Sequence, residues 1–295
     1  MNLTENKFVF KDAATVILIR PSESGDWEIF LARRHQNQTF MAGAYVFPGG
    51  QLEEADKDPQ LANYIKTTDV FDPLRLLQDS SLPGEKARGF FIAAIRETFE
   101  EAGILLGGNT TESFISFHDE KVLKRFSDYR HQLNASQITL AEIARKEEIS
   151  FFPDALIPYA HWITPEFEKK RFSTRFFLAK LPPGQTPVAD TMEITESLWV
   201  TPQDALERHR RKEIILMPPT FKTIEELSAF RDIDALFSAA KIKIIYPILP
   251  QLAGNILKLP HDPEYSIDIY KRPVNLSEPS RILAENGVWK TAFYK

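Results

Sequence analysis

Three carboxylates stand close together at Glu97, Glu100 and Glu101. In a helix of about 3.6 residues per turn they share one side over roughly two turns. Phe91, Ile92, Ile95, Phe99 and Ala102 fall on the opposite side, a stripe wide enough to bury against a sheet. Gly103 stands where a left-handed residue would end the helix. Like charges three and four residues apart repel each other, so this face needs either full solvation or a neutralising partner. A hard divalent cation such as Mg²⁺ or Mn²⁺ would serve, since such ions take a few carboxylate oxygens together with water and substrate phosphate. Charge runs on helices are most often solvated faces, and the spacing by itself leaves both readings open.

The upstream sequence favours chemistry. Phe47-Pro48-Gly49-Gly50 ends an apolar run that starts at Ala44, and Arg96-Glu97-x-x-Glu100-Glu101-x-Gly103-Ile104 follows on the acidic helix. Together they resemble the Nudix box, G-x5-E-x7-R-E-U-x-E-E-x-G-U with U aliphatic, of the Nudix hydrolase superfamily. Gly50 supplies the opening glycine, and Thr98 occupies the first U. Gly50 and Arg96 are 46 positions apart where the compact box has 14, so about 32 residues are inserted. Asp56, Glu85 or no residue at all could stand for the middle glutamate of the box. A box split in this way, together with Thr39 to Gly50 and Ala94 to Gly103, is similar to the branch containing the peroxisomal acyl-coenzyme A diphosphatase.

The resemblance implies an α/β/α sandwich with a mixed sheet and hydrolysis of a nucleoside diphosphate linked to another group. It implies Mg²⁺ or Mn²⁺ held by Glu97, Glu100 and Glu101, with Arg96 orienting Glu100 and with Gly49-Gly50 letting backbone approach metal and phosphate. The general base is drawn from Glu97, Glu100, Glu193 or Glu196. An upstream motif of coenzyme A-directed members, R-S-x3-R-x3-G-x3-F-P-G-G, is matched by Arg34, Gly43 and Phe47 to Gly50, with His35 and Thr39 in place of its serine and second arginine. Arg34, Phe47, Gly49 and Gly50, with Arg171 and Arg175, are therefore the expected substrate contacts. Coenzyme A or an acyl-coenzyme A is the expected substrate. Another dinucleotide or nucleotide sugar, such as ADP-ribose or NADH, remains the alternative, as does a non-catalytic ligand sensor. No proline lies between Gly107 and Phe152, which counts against the ADP-ribose and NADH branches.

Composition sets the bounds. The chain has 295 residues, 43% of them hydrophobic and 26% charged, which is ordinary for a globular protein. A net charge of −5 argues against a general nucleic-acid surface. The absence of cysteine excludes disulfides, thiolate chemistry and cysteine-type zinc sites. No apolar run approaches a membrane span, and Phe293-Tyr294-Lys295 is not a peroxisomal S-K-L address, so a cytoplasmic protein with a small nucleotide substrate and no membrane partner is expected.

The elements that must position these residues can be read in order. Ala13 to Arg20 and Trp27 to Arg34 read as strands. Gln51 to Arg88 reads as an insertion of short helices covering one edge of the site. Gly107 to Thr110 reads as a breaker, and two helical stretches follow at Asp119 to Leu133 and Thr139 to Ile143. Further strands are expected at Leu156 to Thr164, Thr174 to Leu181 and Ser197 to Val200. Thr201 is the expected cap and Pro202 the first residue of a helix, and Met217-Pro218-Pro219 opens another. His209 among Arg208, Arg210 and Arg211 reads as a solvated helix end, Lys241 to Ile248 as a strand, and His261-Asp262 as a loop. The resulting division is a Nudix domain at 10–220, with a helical insertion at 107–152, and a C-terminal extension at 221–295 packed on it; the oligomeric state is not legible.

Overall fold

A computed structural model describes residues 10–23, 25–36, 41–67, 71–110, 113–188 and 194–295; Thr39 and Glu193 lie outside them. Strands β1 (Lys11–Pro21) and β2 (Trp27–Arg34) pair antiparallel at their turn end, Ile19–Pro21 against Trp27–Ile29. Further along, the chain returns between them. Here β3 (Tyr45–Val46) pairs with β2, and β4 (Gly49–Gln51) pairs with β1. Phe47-Pro48 crosses the gap, with the Val16 N–H donating to the Pro48 carbonyl at 2.8 Å. The splay thus seats the Gly49-Gly50 turn in the middle of the sheet.

Next come α1 (Pro73–Leu77), α2 (Gly84–Ala102), β5 (Gly107–Thr110), β6 (Ser113–Phe114), α3 (Glu120–Asn134), α4 (Leu140–Glu147) and β7 (Ser150–Phe151). Strands β8 (Ile157–Ile163), β9 (Phe172–Lys180) and β10 (Ile194–Val200) complete most of the main sheet, followed by α5 (Pro202–Arg210), α6 (Pro218–Leu227) and α7 (Ile233–Ile242). The last strands are β11 (Pro247–Ile248), β12 (Gln251–Ala253), β13 (Ile256–Lys258), β14 (Arg281–Glu285) and β15 (Val288–Ala292). The main sheet runs β10-β2-β1-β9-β8-β11. It is mixed, since β1 and β9 run parallel while β1 and β2 run antiparallel. Strands β12 to β15 form a separate antiparallel sheet.

Side chains alternate across a strand, so each face of the main sheet builds its own core. Ala14, Val16 and Leu18 of β1 join Phe91, Ile95, Phe99 and Phe177 under α2. Ile17 and Ile19 join Phe221, Ile224 and Leu227 of α6, Leu236 of α7, and Leu257 and Ile282 of the small sheet. Helices therefore cover both faces, as an α/β/α sandwich requires. Among the described residues no helix is long and apolar enough to cross a membrane.

Four local readings are corrected. Helix α2 begins at Gly84, so residues 84–88 belong to the acidic helix itself and not to the insertion. Gly107 to Thr110 is a strand: a Cβ on Gly107 would lie 2.7 Å from the Ser150 carbonyl oxygen and one on Gly108 2.1 Å from that of Ser113, so the glycines permit the pairing that they were expected to break. Lys241 and Ile242 end α7, leaving Pro247 and Ile248 to pair with β8. His209 is 2% exposed; its Nε2 accepts from the Trp289 N–H at 3.1 Å, which ties α5 to β15. Asp262 is buried in its loop, where it accepts from the Ser280 hydroxyl at 2.7 Å and the Arg281 Nε at 2.8 Å.

Candidate active site

Helix α2 carries the site because its two faces differ. Phe91, Ile92, Ile95, Phe99 and Ala102 are buried, and Gly103 ends the helix at φ 70°, donating its N–H to the Phe99 carbonyl. The opposite face brings Glu97, Glu100 and Glu101 to the edge of a cavity of ≈ 1320 Å³ that is also walled by Phe47, Gly49, Gly50, Arg34 and Asp56.

Arg96 organises this edge. Its Nε and Nη2 donate to the two oxygens of Asp56 at 2.8 and 2.9 Å. Its Nη1 donates to Glu97 Oε1 at 2.9 Å and Glu100 Oε2 at 2.6 Å, and Nη2 also reaches the Gln51 carbonyl at 2.8 Å. Burial opposes its charge, but the surrounding carboxylates more than offset that, and its pKa is raised. Three carboxylates, those of Asp56, Glu97 and Glu100, gather around this one guanidinium, and Glu101 stands beside them, close enough to act on Glu97. The consequence is visible in Glu97: burial pushes its carboxyl well above the usual range, and Glu101 and Glu100 add to the rise against Arg96. Burial raises Glu100 as well.

The Gly49-Gly50 turn is shaped around the same carboxylates. The Gly49 N–H donates to Glu101 Oε2 at 2.8 Å. A Cβ on Gly50 would sit 2.3 Å from Glu97 Oε1, and one on Gly49 2.4 Å from the Ala14 carbonyl oxygen. Only glycine lets backbone come this close.

These residues fit a hard divalent cation by the chemistry of their donors. All are oxygens, their negative charge exceeds what Arg96 supplies, and Arg96 engages one oxygen each of Glu97 and Glu100. Among the described residues no three acidic or histidine side chains are already drawn into a coordination sphere. Asp56, Glu97 and Glu100 accept from Arg96, and Glu101 accepts from the Gly49 N–H.

Of the options the sequence left open for the middle carboxylate of the box, Asp56, Glu85 or none, Asp56 is the one that the structure brings to Arg96. It is 1% exposed and is paired with Arg96, whereas Glu85 is exposed in the first turn of α2. The signal was present: Asp56 follows Gly50 at the x5 spacing of the intact box, and the insertion falls behind it.

Other expected residues are scattered. Arg34 lines the cavity, and among the described residues its buried Nε has no hydrogen-bond partner. Arg175 does not line it. It lies 5% exposed on the α2 side of β9, with Nη2 on Asp79 Oδ2 at 2.5 Å and Nη1 donating to the Leu77 carbonyl. Alternation along β9 decides this, because Phe172, Thr174 and Phe176 are the residues that face the cavity. Arg171 is also absent from the wall; its Nε donates to the Thr164 carbonyl at 3.2 Å and its guanidinium stacks on Phe10 at 4.5 Å. Glu196 stands outside the wall, where it meets Arg33 at 3.4 Å; burial, with Glu196 adding to it, raises the Tyr45 hydroxyl to about 12. The sequence reading missed Lys11 and Lys170, both in the wall, and the contributions of Leu252, Leu257 and Trp289 from the C-terminal sheet.

Residues 63–227 match the NUDT19 Nudix domain family. The chain belongs to that family. It is 30% identical over 246 residues to the acyl-coenzyme A diphosphatase NUDT19 of Xenopus laevis, covering 73% of this chain and 63% of the frog protein. It is 29% identical over 314 residues to the Gallus gallus protein of the same name, covering 87% and 82%. The chain thus spans less than two thirds of the frog relative's length. A Nudix hydrolase from Alicyclobacillus acidocaldarius superposes with a TM-score of 0.64 at 23% identity, over 78% of this chain and 96% of that one, and has the same fold.

Proposed function

We propose that this Nudix chain hydrolyses the pyrophosphate of coenzyme A or an acyl-coenzyme A, giving 3′,5′-ADP and (acyl-)4′-phosphopantetheine. The observation that carries the reading is the Arg96-centred carboxylate cluster, which opens with Gly49-Gly50 into one large cavity. The choice of substrate is supported by the acyl-coenzyme A diphosphatases that the chain resembles over most of its length. Mg²⁺ or Mn²⁺ held by Glu97, Glu100 and Glu101 would neutralise substrate charge and activate water.

The chain's own residues do the rest. Arg96 fixes Glu97 and Glu100, and Asp56 holds Arg96 by a bidentate fork, a geometry that restricts the guanidinium to one plane. The Gly49 N–H sets the rotamer of Glu101. Water attacks one phosphorus, the anhydride oxygen leaves with the other phosphate, and the proton of the attacking water passes to Glu97 or Glu100. Those two are favoured as base over Glu196 because they line the cavity and Glu196 does not. Arg34, a cation in the cavity wall whose buried Nε has no partner among the described residues, is the candidate for the extra 3′-phosphate of coenzyme A.

The test is a hydrolysis screen over coenzyme A, acyl-coenzyme A, ADP-ribose, NADH and diadenosine polyphosphates with Mg²⁺ and Mn²⁺. Coenzyme A compounds should have the highest kcat/KM. A clear preference for ADP-ribose, NADH or a diadenosine polyphosphate would refute the substrate and leave the family standing.

A further inference from the structure

The cavity is larger than a pyrophosphate needs, and much of its wall comes from outside the family-matched segment. Leu252, Leu257 and Trp289 of the C-terminal sheet, and Asn255 in the turn between β12 and β13, all lie beyond residue 227. Leu257 is 5% exposed and shares a buried cluster with Phe47, Trp162 and Phe176, so this wall is fixed to the main core. Phe47, the residue that leads into Pro48-Gly49-Gly50, meets Phe176 edge-on at 6.2 Å. The apolar surface is therefore continuous with the turn that frames the carboxylates. Two large apolar side chains of the wall remain about half exposed, Leu252 at 48% and Phe167 at 51%.

We propose that the C-terminal sheet forms the acyl-chain wall of the cavity, with Leu252, Leu257 and Trp289 against the methylenes of an acyl-coenzyme A. The inference rests on the coenzyme A reading above. Hydrocarbon walls fit an aliphatic chain because a chain asks for no hydrogen bonds, whereas an adenine would leave its ring nitrogens and amine unpaired against leucine side chains. The exposed Leu252 and Phe167 give a longer chain apolar surface to cover as it leaves the cavity.

The experiment compares kcat/KM for free coenzyme A with that for its acetyl, butyryl, octanoyl and palmitoyl thioesters, in the wild type and in Leu252→Glu. In the wild type the value should rise with chain length by up to about fourfold for each methylene brought into contact. Leu252→Glu should lower the octanoyl-to-free ratio at least about tenfold, the equivalent of losing two methylene contacts. Taken within one protein sample, that ratio is independent of how much of the variant is folded. Trp289→Ser should act in the same direction. A wild-type profile flat with chain length, or an unchanged ratio in both variants, would overturn the acyl wall while leaving coenzyme A hydrolysis in place. Equal losses on free and acylated substrate leave the ratio unchanged and overturn the acyl wall in the same way. If the wild type cleaves neither coenzyme A nor its thioesters but cuts another pyrophosphate, the coenzyme A reading fails and the acyl wall falls with it.

Discussion

Arg96 and Arg175 are alike in isolation. Each is 5% exposed, and each pairs with an aspartate from the segment between β4 and α2, Asp56 in one case and Asp79 in the other. Their surroundings separate them. Arg96 meets Asp56 and two further carboxylates at the cavity edge, so its pKa is raised even though burial opposes the charge. Arg175 has Asp79 and the Leu77 carbonyl, with Phe90 at 5.7 Å, and burial lowers its pKa more than Asp79 restores it. The first arginine holds an excess of anions at the cavity edge. The second staples the insertion to β9. A buried arginine thus marks a site only when it has more negative partners than it can neutralise.

The largest effects should appear where the excess negative charge sits. Glu100→Gln and Glu101→Gln keep shape and remove charge, and each should lower kcat by about 10³-fold or more. Steady-state rates with Mg²⁺, with and without EDTA, check this; near wild-type turnover in either variant, or rates indifferent to EDTA, would reduce the cluster to a solvated face. Asp56→Asn should cost about 10- to 100-fold in kcat, the usual range for a residue that orients ligands. An intact kcat there would make Arg96-Asp56 a staple like its counterpart.

Arg34→Ala sharpens the comparison from the substrate side. Losing one charge-assisted contact to the 3′-phosphate should cut kcat/KM on coenzyme A by about ten- to a hundredfold while sparing dephospho-coenzyme A. Equal losses on both compounds would place Arg34 elsewhere on the substrate. Asp79→Ala should behave differently again. It leaves Arg175 buried without its carboxylate, so stability should drop by on the order of 3 kcal/mol, tempered because the Asp79 side chain is 26% exposed. Thermal melts and kcat/KM measured together decide it. A large kcat/KM loss in folded protein would move Arg175 into the site.

The smallest effect concerns pH. The folded-state pKa values of Glu97 and Glu100 lie above their unfolded values, so between the two the native state binds more protons and unfolding free energy falls as pH rises. Without divalent cation, the melting temperature should therefore climb as pH is lowered from 7 towards the ordinary carboxylate range, by about 2–4 °C per kcal/mol recovered. Added Mg²⁺ should stabilise more at pH 7 than at pH 5.5. Asp79 has the opposite sign: Ser81 and Arg175 hold its pKa down against burial, so its contribution is present above its unfolded pKa and is lost only as pH falls through the lower folded value. A melting temperature that falls on mild acidification would contradict the raised glutamates.

Much of the molecule was legible because it is local. The faces of α2, its end at Gly103, the Thr201 cap with Pro202 behind it, and the strand Trp27 to Arg34 each follow from residue spacing of a few positions. The same local rules misled at Gly107 to Thr110, where close approach to Ser150 and Ser113 turns glycine from a breaker into a requirement. They also misled at His209, whose arginine neighbours face water while its own ring is buried against β15.

By itself, then, the sequence determined which carboxylates share a face, because helical periodicity sets that before any tertiary contact forms. It determined the family as well, through Gly50 and Arg96 to Ile104. Tertiary structure decided how the cluster closes: Asp56 stands at the x5 spacing after Gly50, but it and Arg96 are 40 positions apart and meet only when the insertion folds back onto α2. It likewise decided that Arg34 faces the cavity while Arg175 does not, and that residues beyond 250 supply part of the wall. Long-range partners are selected by how layers stack, and nothing in the local spacing of charges or leucines encodes which returning segment will lie opposite.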